Sequence, residues 1–371
     1  MNPLTLTERL VAEDSVSARP NRSVCERIAE AVEPLGGVVR WVPKPGDPGH
    51  VNVLVRFGPD RPGGLALAGH ADTVPWDDSM RATTSPERSG GKLYGRGTCD
   101  MKGAIAAMVC AAAGTERARL KKPLWLAFTF EEEIGCHGAK HLAEVAPLGV
   151  ERCIIGEPTG LRPVTLHKGY VIAEARFAGT PCHSSDPDAG ASAVHAAARA
   201  VDAVLARGLQ WREDVPATPL VPPYPTVNVG LISGGTARNV VPEAARFTIE
   251  MRPLPGSDPS AMLDQLEADV VAAAATVSGV TPTFVRKELD RPFGADPHGP
   301  LVAWLREKTS SDVASVPFYT EAAFFQMMGA EVCVCGPGEI AQAHRVDEWV
   351  AMDALGAAEV LYREAIEEFC T

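Results

Sequence analysis

The chain has 371 residues, a length that fits about two domains at roughly 150 residues each. Its side chains are 46% hydrophobic and 22% charged, a balance that buries a core and excludes a disordered chain. Acidic residues outnumber basic ones by 47 to 35, giving a formal charge of −12 without any Lys/Arg block, which argues against a nucleic-acid or anionic-membrane partner.

In chain order, Asn21 to Leu35 repeats Val24, Ile28, Val32 and Leu35 at helical spacing behind an Asn/Ser cap and before Gly36-Gly37, predicting an amphipathic helix. Short runs rich in β-branched and aliphatic residues follow at Gly37 to Val42, Val51 to Phe57, Leu65 to Ala68, Pro123 to Phe130, Arg152 to Ile155 and Glu331 to Val334. Helical stretches alternate with them, notably the small-residue run Met101 to Ala113 and the final segment Asp347 to Phe369. This alternation predicts an α/β fold with a mostly parallel sheet sandwiched by helices.

Between Lys168 and Pro292 the order becomes strand (171–177), helix (191–206), strand (226–232), strand (245–253), helix (260–275), strand (281–289). That is a ferredoxin-like βαββαβ pattern, expected as a self-contained insertion. The expected division is therefore a discontinuous domain of 1–167 and 293–371 with a second domain, 168–292, inserted in it.

No apolar run reaches the ~20 residues that cross a bilayer. The opening MNPLTLTERLVAEDS has an acid where a secretory leader needs a basic and then an apolar region, so a cytoplasmic location is expected. Nine cysteines, at 25, 99, 110, 136, 153, 182, 333, 335 and 370, form an odd set without CxxC spacing, and reduced, mostly buried thiols are the simplest account.

Five distant segments place an acid or a histidine just after a predicted strand, where open α/β sheets bind ligands. The run Leu65 to Pro75 ends a buried strand with His70-Ala-Asp72, either a strand-end hydrogen bond or a metal-binding imidazole oriented by a carboxylate. Tyr94-Gly-Arg-Gly-Thr-Cys-Asp100-Met-Lys-Gly103 has a glycine-rich turn before a helix, but it fits neither the dinucleotide fingerprint nor the P-loop, and its carboxylate suits a cation better. A strand from Pro123 runs into Glu131-Glu132-Glu133, three acids that repel one another unless a cation or proton sits among them. Glu157 and His344 complete the set.

Taken together, HADTVP (70–75), GRGTCDMKG (95–103), TFEEEIG (129–135), GEPT (156–159), GTPCHSSDP (179–187), GGTARNVVPE (234–243) and GPGEIAQAHRVDE (336–348), in this order over nearly the whole chain, resemble the dinuclear-zinc metallohydrolases. That family includes acetylornithine deacetylase, succinyl-diaminopimelate desuccinylase, aminoacylase and glutamate carboxypeptidase. The resemblance implies a zinc-peptidase-like catalytic domain with an inserted lid and dimerisation domain, and two Zn2+ ions, with Co2+ or Mn2+ also accommodated by such ligands. It implies that His70 and Glu157 hold one ion, Glu133 and His344 the other, and that Asp100 bridges them. Glu132 would then be the general base and Asp72 the partner of His70. Glu131 stands where the family usually has Asp, so a one-residue shift of the Glu132 and Glu133 roles stays open. A cis peptide at Asp100-Met101 is also implied.

In the inserted domain, His183 matches the histidine that stabilises the tetrahedral oxyanion from the partner subunit, which makes a homodimer the expectation. Asn239 and Arg252 match lid residues that bind a substrate carboxylate; Arg252 alone also reads as a surface ion pair. Histidines 50, 137, 141, 195 and 298 match no motif position and are taken as structural.

Within the family, His167-Lys168-Gly169, HSSDP and Thr320-Glu321-Ala322 are similar to the acetylornithine deacetylase branch. This implies hydrolysis of N2-acetyl-L-ornithine to L-ornithine and acetate. Deacylation of another N-acyl amino acid, such as acetylcitrulline or succinyl-diaminopimelate, or carboxypeptidase or dipeptidase activity, is the alternative. A non-catalytic binding protein on the same fold is the remote one.

Overall fold

The computed structural model describes every residue except Asp78 and Asp214. Contacts divide the chain into two compact units, Met1–Thr165 with Ala295–Ala314 and Thr320–Thr371, and Leu166–Gly294 with Ser315–Tyr319. The second unit thus takes a return segment at 315–319 that a simple 168–292 insertion does not contain.

The first unit opens with α1 (Pro3–Val11), α2 (Arg22–Val32), β1 (Val38–Lys44), β2 (Asp47–Phe57) and β3 (Leu65–His70). The short strands β4 (Glu87–Ser89) and β5 (Lys92–Tyr94) precede α3 (Lys102–Gly114), β6 (Leu124–Thr129), α4 (His137–Val145), β7 (Arg152–Pro158) and β8 (Val164–His167). The second unit contributes β9 (Tyr170–Ala178), α5 (Ala193–Gln210), β10 (Thr226–Gly234), β11 (Ala244–Arg252), α6 (Pro259–Ala274), β12 (Thr281–Asp290) and β13 (Phe293–Gly294). The chain then adds α7 (Pro300–Thr309), β14 (Ala314–Val316), α8 (Ala322–Met327), β15 (Glu331–Gly336), β16 (Trp349–Ala351) and α9 (Met352–Cys370).

The main sheet of the first unit runs β1-β2-β6-β3-β7-β15-β8. Its centre, β6-β3-β7-β15, is parallel throughout. Strand β3 is buried along its whole length, as a strand flanked by parallel neighbours and covered on both faces must be, which is why it reads as an unbroken apolar run. Residues 102–112 of α3 are all buried, and a helix apolar all round belongs inside a core. Glycine is required beside it: a Cβ on Gly69 would lie 2.0 Å from Met101 Cε, and one on Gly156 would lie 2.9 Å from the same atom. The Met101 side chain therefore packs where both strands lack a side chain.

Two local expectations are corrected and one unpredicted element is added. The final helix begins at Met352, not Asp347, because Trp349–Ala351 pairs as β16 with β5 in a separate sheet ordered β16-β5-β4. Asn21 does not cap α2 through its side chain; its amide instead brackets Val51, accepting that residue's N–H at 2.8 Å and donating to its carbonyl at 3.0 Å. The N-terminal helix α1, capped by Asn2, was not expected.

The four long strands of the second unit form an antiparallel sheet ordered β10-β11-β9-β12, with α5 and α6 packed on it around a core including Phe177, Phe247 and Leu263. This is the ferredoxin-like arrangement predicted from the βαββαβ order. No helix among the described residues is long and apolar enough to cross a membrane. Eight of the nine cysteines are buried, Cys182 is half-buried, and none forms a disulfide.

Candidate metal centre

The parallel strands β6, β3, β7 and β15 deliver their carboxyl ends side by side, and those ends carry the candidate residues. His70 is the last residue of β3 and lies in register beside Thr129, the last of β6. Glu132 and Glu133 follow β6, Glu157 is the last residue but one of β7, and the loop after β15 returns His344. Asp100 arrives from the turn between β5 and α3, followed by a cis Asp100–Met101 peptide.

These side chains converge. His70 Nε2 lies 3.0 Å from Asp100 Oδ1 and 3.8 Å from Glu157 Oε1. His344 Nε2 lies 3.0 Å from Glu133 Oε2 and 3.4 Å from Asp100 Oδ2. Ligand atoms of His70, Asp100 and Glu133 fall within 4.8 Å of one another, as do those of His70, Glu132 and Glu157. Asp100 thus touches both histidines, one on each carboxylate oxygen.

The electrostatics are those of a site built for cations. Burial, aided by neighbouring carboxylates, pushes Glu132 and Glu157 well above the ordinary carboxylate range and raises Glu133 too. For Asp100, burial works in the same direction but is outweighed by hydrogen bonds from His344 and His70, which hold it low. His344 is raised to about 10 by its hydrogen bonds to Asp100 and then Glu133. Glu133 Oε1 is buried without a hydrogen-bond partner. Four buried carboxylates, two imidazoles and an orphaned oxygen form a set of N/O donors that fits divalent metal ions.

Glu131 separates from its neighbours. At φ 52° it turns away from the cluster, and its buried carboxylate binds Lys44 Nζ at 2.6 Å and His137 Nδ1 at 2.9 Å. The geometry therefore leaves Glu132 and Glu133 as the acids that face the other ligands. Among the histidines set aside from the sequence, His137 pairs with Glu131 and His50 with Asp47, at 2.8 Å.

Asp72 does more than orient an imidazole. His70 Nδ1 bonds the backbone carbonyl of Asp72 at 3.0 Å, while the Asp72 carboxylate is 3.6 Å away. That carboxylate receives the Ser17 hydroxyl at 2.6 Å and the backbone N–H groups of Glu132 and Glu133. The Cys136 thiol lies 3.3 Å from Glu132 Oε1. Glu321, wholly buried at the start of α8, accepts the Thr129 hydroxyl, and its other oxygen has no partner. The signal for Glu321 was the Thr-Glu-Ala triplet; nothing in local sequence pointed to Ser17.

The second-unit candidates divide into two places. His183 and Asn239 lie together: His183 bridges Val240, and the Ser184 N–H donates to the Asn239 carbonyl at 3.0 Å. The His183 ring is exposed and bonds Ser185 Oγ at 2.7 Å. Arg252 ends β11, where it pairs with Glu250 at 2.7 Å and covers the Tyr170 ring at 4.5 Å. The hairpin turn that joins β10 to β11, and the His183 loop bonded to it, adjoin the opposite, Ala244 end of that strand. The structure therefore does not bring Arg252 together with His183 and Asn239 within one chain.

A parallel-centred α/β sheet ending in a six-residue His/carboxylate cluster defines a candidate metallohydrolase. The chain belongs to peptidase family M20/M25/M40, whose model matches residues 66–368. It is 37% identical to an acetylornithine deacetylase of Myxococcus xanthus, over 99% of this chain and 97% of that one. It is 35% identical to an acetylornithine deacetylase of Edwardsiella ictaluri, over 99% and 96%. Among solved structures, a Staphylococcus aureus tripeptidase superposes with a TM-score of 0.80 at 20% identity, covering 98% of this chain and 97% of that one. A Bacillus subtilis protein described as a dinuclear metal binding peptidase of the M20 family gives 0.73 at 16%, covering 99% and 97%. The chain is thus an enzyme of an amide-hydrolysing family.

Proposed function

We propose that the protein removes the acetyl group from N2-acetyl-L-ornithine, giving L-ornithine and acetate, with two zinc ions as cofactor. The observation that carries the reading is the convergence of His70, Asp100, Glu133, Glu157 and His344 around Glu132. The two deacetylases similar along nearly the whole chain support the substrate.

In this reading His70 and Glu157 would hold one ion and Glu133 and His344 the other, with Asp100 available to both. Bound there, the ions would acidify a water and polarise the scissile carbonyl. Glu132, which faces the other candidate ligands, takes the proton from the attacking water and passes it to the leaving amine. Asp72 fixes the backbone of Glu132 and Glu133 and, through its carbonyl, the tautomer of His70. Arg252 offers a two-pronged fork to the substrate α-carboxylate. His183 donates to the developing oxyanion, with Asn239 beside it.

Arg252 and the Ala244 end of β11 are eight residues apart, roughly 27 Å along a strand. One small substrate cannot span that distance, so if both ends of β11 serve the substrate, each active site takes Arg252 from one copy and His183 with Asn239 from another. That sharing calls for a homodimer, and the edge strand β10, with Leu231 and Ile232 exposed, offers a surface for it.

A panel of N-acyl amino acids tests the substrate. Turnover of acetylornithine above acetylcitrulline, acetylmethionine and succinyl-diaminopimelate is expected; a peptide or another acyl amino acid turned over faster overturns the assignment. Metal analysis of protein purified without chelator tests the zinc.

A further inference from the structure

Three of the segments that bear candidate ligands meet at one buried ion pair. Arg96 and Glu348 are 5% and 1% exposed, with Nη1 and Oε2 2.5 Å apart. Glu348 Oε1 receives two backbone N–H groups from the same turn, those of Cys99 at 3.0 Å and Asp100 at 3.1 Å. Arg96 Nη2 reaches the carbonyl of Pro75, five residues beyond His70, at 3.4 Å. Glu348 itself stands four residues after His344, and its carbonyl accepts the Gly95 N–H at 3.1 Å. Immediately outside this knot, Tyr94 pairs with Trp349 across β5 and β16.

We propose that Arg96 and Glu348 are positioning residues that set the spacing of Asp100 against His344, and so the affinity for metal. The inference rests on the metal-centre reading above. Glu348 touches no ligand side chain. It fixes the backbone on which the Asp100 carboxylate is mounted, while the chain that carries Glu348 also carries His344. His344 lies at φ 63° with its side chain half exposed, and its loop is tied down on the far side by the Arg81 N–H on the Val346 carbonyl at 3.2 Å and at its end by Glu348. Burial makes the pair an all-or-none element. With one partner gone, the other is left charged and desolvated and the turn finds a new arrangement. A carboxylate is also the right acceptor here, because it satisfies two amides and one guanidinium with two oxygens and no competing donor.

The test is Co2+ binding by the purified full chain, followed through the Co2+ absorption spectrum and competition with a chelator, without reference to turnover. E348Q keeps the size of the side chain but turns an amide donor toward Arg96. It is expected to bind Co2+ about 10-fold more weakly with an altered spectrum, as loss of a group that orients ligands does. R96M/E348M removes both buried charges together but leaves the Cys99 and Asp100 N–H groups without their acceptor; it is expected to melt below the wild-type temperature without metal and to bind about 100-fold more weakly. A merely structural pair would lower the melting temperature and leave Co2+ affinity and spectrum as they were. Wild-type affinity and spectrum in E348Q overturn the proposal, and E348Q decides alone if the double variant does not fold. A wild-type chain that binds no Co2+ overturns the metal-centre reading itself, a separate outcome.

Discussion

The carboxylate of Asp72 receives the backbone N–H of Glu132 at 3.1 Å on one oxygen, and that of Glu133 at 3.3 Å on the other. One buried acid therefore fixes where the proposed base and a proposed ligand start. It does so across the sheet, from the end of β3 to the end of β6. D72N keeps one acceptor and sets an amide donor against the second N–H. Its kcat is expected to fall about 10- to 100-fold, with weaker metal binding, the usual loss for a group behind the ligands. Steady-state kinetics beside a metal titration checks this, and an unchanged kcat would remove Asp72 from the machinery.

Glu132 and Glu133 are adjacent in sequence but predicted to fail differently. E132A loses the proton carrier, so kcat should drop by about 10²–10⁴ while metal content stays the same. E133A loses a ligand, so metal content falls with activity. Metal analysis of both variants settles the order of the two roles, which the Glu131 departure from the family pattern left open in the sequence. The turn of Glu131 toward Lys44 and His137 already favours this order.

Metal removal should show the charges that the ions compensate. In the metal-free site His344 is raised to about 10 by Asp100 and Glu133, so it is protonated at pH 7 and must release that proton to become a ligand. Calorimetric titration with Zn2+ in buffers of different ionisation enthalpy should report proton release, and affinity should rise with pH. Chelated protein should regain about 2.7 kcal/mol of stability at 100 Kd of added metal. Binding without proton release would contradict the placement of His344 among the ligands.

Much of this was legible because parallel strands write their burial into composition. The runs at 65–68, 123–130, 152–155 and 331–334 became the four central strands, and every candidate ligand except Asp100, which comes from the turn before α3, is carried at or after the end of one. The βαββαβ order gave the second unit for the same reason, with strand and helix periods alternating cleanly. What stayed hidden was nonlocal. Glu348 acts on amides 248 and 249 positions away, and Ser17 on a carboxylate 55 away. The three-residue strands β5 and β16 are too short to show a period, so Trp349–Ala351 was absorbed into the helix that follows. Sequence likewise placed Arg252 with Asn239, and only the strand between them shows how far apart they are.

Glu321 provides a stability prediction with a defined sign. Burial raises its carboxyl from 4.5 to about 7, against the Thr129 hydrogen bond. Between those values the folded chain keeps a proton that the unfolded chain has released. Stability therefore falls as pH rises through the window and levels off above it. E321Q has no proton to lose and can still accept from Thr129. In metal-free protein it should be the more stable form above pH 7, by about 3 kcal/mol, and the advantage should shrink toward pH 4.5. Denaturant unfolding of both proteins across that range is the measurement, and a pH-independent difference would contradict a buried, proton-holding Glu321.

The last prediction concerns sharing between subunits. If Glu132 and His183 of one site belong to different copies, E132A and H183A are each nearly inactive, for different reasons. In a mixed dimer, the E132A chain lends its His183 to the intact Glu132 of its partner, restoring one site of the two. Random exchange makes about half of the dimers mixed, so an equal mixture should recover about a quarter of wild-type activity. E132A mixed with the double variant E132A/H183A has no intact base and should recover none, which controls for contamination and refolding. Recovery should also require time or mild denaturant for subunits to exchange. A fully active monomer, or a mixture that stays inactive after exchange has been shown by mass, would instead place His183 and Glu132 in one chain.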